Sequence, residues 1–355
     1  MKTVRISGKH IGDGYPCFIV FEAGPSHNGI DSACELVRRA AAAGADAIKF
    51  QMIDPDRLVA DRNQEISYDI LLDRHSGETR TVSEPLYRIL KRRCLTKDEW
   101  RALKHLCDEM GIIFFATASF FDEIDFLVEL GCRTLKICSG DIDYYQLIEY
   151  SASTGMCLQF DSSNATIGDI ERAVEVACGA GCKDIIIHNC PSGYPARLES
   201  INLRLISTLK QVFQYPVAFS DHSVGMDMDI AAVALGANMV EKTITLDRTT
   251  ASPEHLFSLE SEEMATFVRT IRNVEVALGG PRRILDDVEC KRSLAVRRSL
   301  VAARDLSAGE RVSAQTTHFA RPGIGLRPEL FSLIEGRQLK RDVKCGQMIT
   351  LDDVI

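Results

Sequence analysis

Polar side chains follow apolar runs at eight places in the chain, and they include the types that acid–base chemistry and anion binding require. One apolar run leads directly into Ser220, Asp221 and His222. The polar residues at the other seven places are Glu22, Lys49, Gln51, Thr117, Lys136, Ser139, Asp161, His188, Ser192, Glu241, Lys242 and Thr243. A lysine that directly follows buried residues is costly unless it is paired, so Lys49 and Lys136 are candidates for function. The alternative is a lysine that is paired for structural reasons or that extends its ammonium group to solvent.

Reactive side chains at the ends of separate strands can act together only if the fold brings these strand ends to the same side. The apolar runs alternate with segments of helical spacing, such as Ala33, Leu36, Val37 and Ala40, and short connections join the two. This alternation is typical of a parallel sheet, and in a (β/α)8 barrel every strand points its carboxyl end to the same mouth. The sequence therefore predicts an α/β fold with a TIM (β/α)8 barrel, in which residues 1–11 form a strand or hairpin that plugs the opposite end.

A charged insertion interrupts the regular pattern after the second predicted strand. About 40 residues lie between that strand and the helix that opens near residues 96–99. Connections of this kind usually have roughly 2–6 residues. The insertion contains Asp61, Arg62, Asp73 and Arg74 among other charged residues. It suits a lid over a polar substrate and a solvated surface equally well, and both interpretations stay open.

The pattern changes near the C-terminal end of the chain. Gly279, Gly280 and Pro281 mark a boundary, and beyond it the sequence shows short strand-like pieces separated by turns. These pieces are residues 299–302, 316–320 and 348–351. The sequence therefore predicts three parts, which are a barrel over 1–281, a linker over 282–292 and a small β-rich domain over 293–355.

Charge and hydropathy exclude several classes of partner. The net charge is −8, from 42 basic and 50 acidic residues, and no block of lysine and arginine occurs. Neither nucleic acid nor an anionic membrane is therefore an expected partner. No apolar run approaches the roughly 18 residues of a membrane span, and the first residues lack the apolar core of a signal peptide. These features predict a cytoplasmic protein.

The twelve cysteines do not have the spacing of metal ribbons. Several lie within the apolar runs, among them Cys132, Cys138, Cys157 and Cys190, and no C-x-x-C pair occurs. Buried reduced thiols are therefore favoured over disulfides.

Eight segments carry a resemblance to a known family. Those in the barrel are F-E-A-G-P-S-H-N-G at 21–29, G-A-D-A-I-K-F-Q at 44–51, L-K-I-C-S-G-D at 135–141, F-S-D-H at 219–222, E-K-T-I-T-L-D-R at 241–248 and H-L-F-S-L-E at 255–260. Those in the C-terminal domain are R-R-S-L-V-A at 297–302 and A-R-P-G-I-G at 320–325. In this order they resemble the sialic acid synthase family, in which a TIM barrel precedes a small antifreeze-like (SAF, β-clip) domain.

The resemblance implies a transferase that builds a sugar acid. Synthases of this family join phosphoenolpyruvate to an N-acylated sugar aldehyde, and they release a nonulosonic (sialic-acid-like) acid and phosphate. Carbon 3 of phosphoenolpyruvate attacks the aldehyde carbon, water adds at carbon 2, and phosphate leaves. The expected substrates are therefore phosphoenolpyruvate and an amino sugar, in an N-acetylneuraminate synthase-like reaction.

The resemblance also assigns roles to single positions. It gives the proton and water chemistry to Glu22 or Asp141, and the catalytic set is completed by Lys136 and Asp221. The residues expected to bind the two substrates are Lys49, Gln51, Thr117, Ser139, Asp161, Ser192, Tyr194, Ser220, Glu254 and Arg321. Lysines and hydroxyl groups at strand ends suit phosphoenolpyruvate in their own right, because this substrate is a compact carboxylate and phosphate.

One expected substrate contact lies outside the barrel. In the family, the antifreeze-like domain reaches the active site of a partner subunit and lends an arginine to the sugar. That arginine corresponds to Arg321, and the resemblance therefore implies a domain-swapped homodimer.

The sequence departs from the family at a metal position. Family members bind a divalent metal, Mn²⁺ or Mg²⁺, through two histidines, of which His222 corresponds to the first. The second is Thr243 in this chain, and Glu241 lies beside it. The expected metal ligands are therefore His222 and Glu241, and retention of the metal stays open.

Two further departures fall at the phosphate end of the expected pocket. Asp161 stands where the family has a serine, and Ser192 stands where it has an asparagine. A carboxylate at position 161 repels a dianion unless the carboxylate is protonated or paired with a lysine.

Two alternative functions remain open at this point. The first is a metal-independent aldolase or lyase, in which Lys136 or Lys242 forms a Schiff base with a keto acid. The second is a non-catalytic homologue that binds a sugar.

Overall fold

The computed structural model describes residues 1–355, and the chain forms two compact units. The first unit is Met1–Gly279 and the second is Gly280–Ile355. None of the helices combines the length and the apolar character that a membrane span requires. All twelve cysteines are free thiols.

The strands are numbered in chain order. They are β1 Val4–Ile6, β2 Lys9–Ile11, β3 Phe18–Glu22, β4 Ala47–Gln51, β5 Glu65–Leu71, β6 Thr79–Pro85, β7 Ile113–Thr117, β8 Thr134–Ile137, β9 Cys157–Asp161, β10 Ile185–Asn189, β11 Val217–Asp221, β12 Met239–Thr243, β13 Ser299–Ala302 and β14 Thr317–Ala320.

The helices are numbered in the same way. They are α1 Ile30–Ala43, α2 Pro55–Leu58, α3 Leu86–Lys91, α4 Lys97–Met110, α5 Phe121–Glu129, α6 Tyr145–Ser153, α7 Ile167–Gly179, α8 Leu198–Ile201, α9 Leu205–Phe213, α10 Asp227–Ala234, α11 Ser261–Leu278 and α12 Asp287–Val296. Short 3₁₀ helices occur at Ser139–Asp141, Pro328–Leu333 and Leu351–Asp353.

Eight parallel strands close into a barrel in the order β3, β4, β7, β8, β9, β10, β11 and β12, and β12 pairs with β3 to complete the ring. All eight apolar runs of the sequence are strands of this barrel, so the predicted TIM barrel is confirmed. Helices cover the outside of the barrel, and α1 illustrates the reason. Its buried residues Ala33, Leu36, Val37 and Ala40 follow the helical period, so one face packs on the sheet.

The hairpin of β1 and β2 closes the end of the barrel at which the strands begin. Val4, Ile6 and Ile11 are buried against the first inward side chains of the barrel strands, including Phe18 and Met239. The predicted plug is therefore present. Its apolar side chains pack on the mostly apolar residues at which the barrel strands begin.

The charged insertion forms a small structure of its own. It contains α2, the antiparallel pair β5 and β6, and α3. Tyr68, Ile70 and Ile89 form a separate apolar cluster inside it. The insertion ends just before Thr96, whose side chain caps α4 in a capping box with Glu99.

The second unit has its own core around the antiparallel pair β13 and β14. Leu300, Leu306, Val312 and Val343 are among its buried residues. The segment predicted as a linker, 282–292, includes the first part of α12. The strand expected at 348–351 is absent, because this segment forms only one isolated bridge and the start of a 3₁₀ helix.

Candidate active site

The interior of the barrel changes from apolar to polar along the strands. Side chains alternate between the two faces of a strand, so every second residue points into the barrel. Phe18 and Val20 lie inside near the plug, and Glu22 follows them in the same row. The same order places Lys49, Lys136, Ser220 and Glu241 inside, at the carboxyl ends of their strands. The alternation therefore gathers the charged groups at the mouth.

The carboxylate of Glu241 connects four of these strands. Its Oε1 accepts hydrogen bonds from Lys136 Nζ at 2.8 Å and from Ser220 Oγ at 3.0 Å, and it lies 3.3 Å from Lys49 Nζ. Lys136 Nζ also donates to Ser220 Oγ at 3.2 Å. Lys49 forms a second ion pair with Glu22. The structure therefore brings together Glu22, Lys49, Lys136, Ser220 and Glu241, all of which the sequence predicted as site residues.

Asp161 joins this cluster through Lys136. Its Oδ2 lies 2.8 Å from Lys136 Nζ. Burial alone would raise the pKa of Asp161, but Lys136 and then His188 lower it to about 2. Asp161 is therefore ionised and paired with a lysine, which is one of the two conditions under which an anion can be accommodated beside it.

The two lysines have pKa values shifted in opposite directions. Burial would lower the pKa of Lys136, but Asp161 and Glu241 outweigh it and raise the pKa above its ordinary value. Burial lowers the pKa of Lys49, and Glu241 opposes this only in part. Lys136 is thus a permanent cation, whereas Lys49 gives up a proton more readily than an ordinary lysine does.

A deeper polar row lies below this cluster, and of its members the sequence indicated only His188. His188 Nε2 lies 2.9 Å from Gln159 Oε1, and Gln159 Nε2 donates to Thr134 Oγ1 at 3.0 Å. Burial, with Lys136 next, lowers the pKa of His188 to about 3, so this ring is neutral. Neither His188 Nδ1 nor Glu241 Oε2 has a hydrogen-bond partner. Buried polar atoms are normally satisfied, so these two atoms favour a polar ligand in the barrel interior.

Asp221 does not join this cluster, contrary to the prediction that includes it in the catalytic set. Ser220 and His222 point inward, so the alternation turns Asp221 outward to the helical layer. There it pairs with Lys242, which also lies 3.6 Å from Asp229 on α10. Asp221 also accepts a hydrogen bond from Ser223 Oγ at 3.0 Å. All three charged side chains are fully buried, so neither Asp221 nor Lys242 is placed to meet a substrate.

Asp229 gives this outer cluster a pH-dependent effect on stability. Both of its oxygens lack a hydrogen-bond partner, and burial, with Asp221 next, raises its pKa well above the ordinary value. When the pKa of a carboxyl group is higher in the folded than in the unfolded protein, its protonated form is compatible with folding and its ionised form opposes folding. The stability of the protein therefore falls as pH rises above the unfolded-state pKa of the group. Asp229→Asn is neutral at every pH. We expect it to stabilise the protein at pH 8 by roughly 1–3 kcal/mol relative to the wild type, and by less at pH 5.

Chemical unfolding at both pH values checks this prediction. The matched control is Asp227→Asn, which removes an exposed acid from the first turn of the same helix. Its effect is expected to be small and the same at both pH values. A gain for Asp229→Asn that is equal at pH 5 and pH 8 would show that Asp229 does not titrate in this range.

The two expected metal ligands, His222 and Glu241, contact other groups of the chain. His222 Nδ1 lies 3.4 Å from the carbonyl oxygen of Pro191, and its ring packs against Tyr194 with 4.6 Å between the ring centroids. Glu241 faces the two lysines instead. No group of three histidine, cysteine, aspartate or glutamate side chains with the arrangement of a metal site occurs in the chain. The chain thus offers one histidine, His222, where the family has two, and the mechanism below derives no step through a metal.

The remaining predicted residues of the first unit lie around the mouth of the barrel. Asp141 Oδ2 accepts hydrogen bonds from Ser119 Oγ at 2.8 Å and from the Cys138 thiol at 3.1 Å. Ser192 is exposed, and its hydroxyl group donates to the carbonyl oxygen of Ser163 at 2.7 Å. The other predicted barrel residues, which are exposed or partly buried on strand ends and loops, are Gln51, Thr117, Ser139, Tyr194 and Glu254. Arg321 is exposed within the second unit.

Comparisons with known proteins agree with this architecture. Residues 36–283 match the NeuB family and residues 297–355 match the SAF domain. The sequence is 35% identical to an uncharacterized protein of Methanocaldococcus jannaschii over 356 residues, which cover 100% of this chain and 99% of that protein. It is 33% identical to the N,N'-diacetyllegionaminic acid synthase of Legionella pneumophila over 356 residues, with 99% and 98% covered.

The fold is also shared with a solved structure. The crystal structure of the N-acetylneuraminic acid (sialic acid) synthetase from Leptospira borgpetersenii matches with a TM-score of 0.71 and 29% sequence identity, and the match covers 82% of this chain and 95% of that one. The chain belongs to the NeuB family of nonulosonic acid synthases, enzymes that form a carbon–carbon bond, and it carries a C-terminal SAF domain.

Proposed function

We propose that this enzyme condenses phosphoenolpyruvate with an N-acylated amino sugar in its aldehyde form, and that it releases a nonulosonic acid and phosphate. The observation that carries the proposal is the convergence of Lys49, Lys136 and Ser220 on Glu241 inside the barrel mouth. Two lysines and a hydroxyl group at one point suit a substrate that carries both a carboxylate and a phosphate.

The two lysines have different tasks in the proposed reaction. Carbon 3 of phosphoenolpyruvate attacks the aldehyde carbon, and the aldehyde oxygen becomes a hydroxyl group by taking a proton. Lys49 supports this step as the proton donor, because burial lowers its pKa. Lys136 keeps its charge, because its pKa is raised, and it acts as a fixed cation for the anionic donor.

The second half of the reaction consumes water. Water adds at carbon 2 and loses a proton, and the resulting intermediate expels phosphate together with the bridging oxygen to leave a ketone. Glu22, the ion-pair partner of Lys49, is the proposed acceptor of the water proton. Asp141 is the less suitable candidate, because Ser119 and Cys138 already donate to its Oδ2.

Isotope labelling tests the proposed reaction. Phosphoenolpyruvate with ¹⁸O in the bridging position is incubated with the enzyme and an N-acetylhexosamine, with EDTA and again with Mn²⁺. The expected result is a nonulosonic acid whose C2 oxygen comes from solvent, with all the label in the released phosphate. Formation of pyruvate and phosphate alone, or no consumption of the donor, would contradict the proposal.

The structure favours this reaction over the Schiff-base alternative. A Schiff base needs a neutral, accessible amine, yet Lys136 has a raised pKa and Lys242 is fully buried outside the barrel. Borohydride in the presence of a keto acid is therefore expected to leave the protein mass unchanged.

We also propose that Arg321 contacts the sugar in the partner subunit of a homodimer. Arg321 is exposed in the SAF domain, so Arg321→Ala is expected to leave the melting temperature unchanged. The change should raise KM for the amino sugar by at least about tenfold and leave KM for phosphoenolpyruvate unaltered, because only a charged hydrogen bond to the sugar is lost. Steady-state kinetics with each substrate varied in turn measures this split.

Subunit mixing tests whether Arg321 acts across the dimer. Arg321→Ala and Lys136→Met subunits are co-expressed with different affinity tags, and the mixed dimer is isolated. One of its two sites then has both intact residues if Arg321 comes from the partner. Recovery of activity at a low sugar concentration supports the exchange of domains, whereas a mixed dimer as inactive as its parents contradicts it.

A further inference from the structure

A polar cavity lies beside the mouth of the barrel, apart from the Glu241 cluster. Its volume is about 270 Å³. The loop after β3 contributes His27, the loop after β12 contributes Ser252 and His255, and the end of the insertion contributes Arg92 and Arg93. No residue of the Glu241 cluster lines it.

Arg93 is the unusual group in this cavity. It is only 5% exposed, and the one hydrogen bond of its side chain runs from Nη2 to Ser252 Oγ at 2.9 Å. Its neighbour Arg92 is exposed and binds Glu84 through both terminal nitrogens at 2.7 Å. A guanidinium group has five N–H donors, and a buried charge is normally paired, so Arg93 lacks a counter-charge that its neighbour has.

No acid of this chain neutralises Arg93. Burial lowers the pKa of Arg93, and the carboxylate of Glu254 opposes this without forming an ion pair. Asp247, which also lines the cavity, is already bound to Arg74 at 2.6 Å and to Thr249 Oγ1 at 2.7 Å. The cavity therefore contains one buried positive charge with unused donors.

His27 adds a second unused donor on the same wall. Its Nδ1 accepts a hydrogen bond from the backbone N–H of Gly29 at 3.5 Å, whereas Nε2 is buried and has no partner. Burial, with Arg93 next, lowers the pKa of His27 to about 4, so the ring is neutral at physiological pH. A neutral ring that accepts at Nδ1 carries its proton on Nε2, and this N–H is a donor without an acceptor.

We propose that Arg93, His27 and Ser252 form a binding site for a phosphate-type oxyanion beside the barrel mouth. A guanidinium fork, an imidazole N–H and a hydroxyl group together supply the charge and the donors that a compact oxyanion requires. The anion is either free phosphate or the phosphate group of a small organic molecule. The inference does not depend on the proposed condensation, because none of these residues belongs to the Glu241 cluster.

Calorimetric titration with inorganic phosphate tests the site. It uses the variant Lys136→Met/Asp161→Ser, so that phosphate does not bind inside the barrel. We expect phosphate to bind, Arg93→Gln to weaken binding by at least about tenfold, and Arg92→Gln to change it by less than about twofold, because Arg92 is exposed and paired. Equal loss in both arginine variants, or phosphate binding that survives Arg93→Gln, overturns the proposal.

Two further measurements test the site even if Arg93→Gln does not fold. Ser252→Ala keeps the buried charge and removes one donor, and it is expected to weaken phosphate binding by at least about threefold. Crystals of the wild type soaked in selenate should show an anomalous peak within hydrogen-bond distance of Arg93. A peak found only inside the barrel or on the surface overturns the proposal.

A comparison of ligands identifies the source of the anion. An N-acetylhexosamine 6-phosphate, the same sugar without phosphate, and inorganic phosphate are titrated in parallel. Tighter binding of the sugar phosphate, lost in Arg93→Gln, supports a site for a phosphorylated small molecule. Equal affinity for the sugar phosphate and inorganic phosphate supports a site for free phosphate, and no binding of either contradicts the proposal.

Discussion

Lys136→Met is expected to abolish phosphoenolpyruvate binding and to destabilise the fold. Lys136 is buried between Asp161 and Glu241, at 2.8 Å from each. These two carboxylates raise the pKa of Lys136 and so keep it positively charged. Its removal leaves two carboxylates facing the donor, so donor affinity should fall by more than about 100-fold. The free energy of unfolding should fall by roughly 3–5 kcal/mol, because a buried ion pair has lost one partner. Calorimetric titration and urea unfolding measure the two effects.

A double variant separates binding from stability. The variant Lys136→Met/Asp161→Ser lacks one of the two carboxylates that Lys136→Met leaves unpaired. Much of the lost free energy of unfolding should therefore return, while phosphoenolpyruvate binding stays absent. Lys104→Met, which removes a surface lysine paired with Asp108, is the control for loss of a lysine charge. If Lys136→Met binds phosphoenolpyruvate as the wild type does, the assignment of the donor pocket is wrong.

Asp161→Ser is expected to strengthen phosphoenolpyruvate binding by at least about tenfold, or roughly 1.4 kcal/mol. The cluster contains three carboxylates, Glu22, Asp161 and Glu241, against two lysines. An anionic donor adds to this negative excess, so removal of one carboxylate should favour it. Lys136 keeps Glu241 as a partner, and the loss of stability should be small. Calorimetric titration of both proteins at pH 7 gives the ratio of affinities.

The pH dependence of binding gives an independent check on Asp161. Its pKa of about 2 keeps it ionised down to mildly acidic pH, so acidification from pH 7 to pH 5 should not reproduce the gain of Asp161→Ser. Asp161→Asn, which keeps the shape and removes the charge, should match the serine variant. Weaker binding in both variants would mean that Asp161 holds Lys136 in its binding position and that this effect exceeds its repulsion of the donor.

The barrel was predictable from sequence because each strand is a short apolar run closed by polar residues. The same sequence did not reveal the inner polar row, since Gln159 lies within a run that is otherwise apolar from 157 to 160. Alternation along the strand could have found it, because Gln159 stands two residues before Asp161. The same rule would have separated Ser220 and His222 from Asp221, which was predicted as catalytic and faces the helical layer.

Other features depend on contacts that no local pattern contains. The pairing of Lys136 with both Asp161 and Glu241 joins residues from three strands that are distant in the sequence. The cavity at Arg93 needs the fold of the insertion and the loop after β12, and neither has a sequence signature for an oxyanion site.

The β1 and β2 hairpin that plugs one end of the barrel has a consequence for the order in which substrates bind. Because the β1 and β2 hairpin closes one end with apolar side chains, the interior opens only at the mouth, and every molecule must cross the same entrance. If phosphoenolpyruvate binds at Lys136 as proposed, we expect it to bind before the sugar, because Lys136 lies deeper in the barrel than the residues of the mouth. The β1 and β2 hairpin is thus expected to give the proposed reaction an ordered kinetic mechanism, in which phosphoenolpyruvate binds before the sugar.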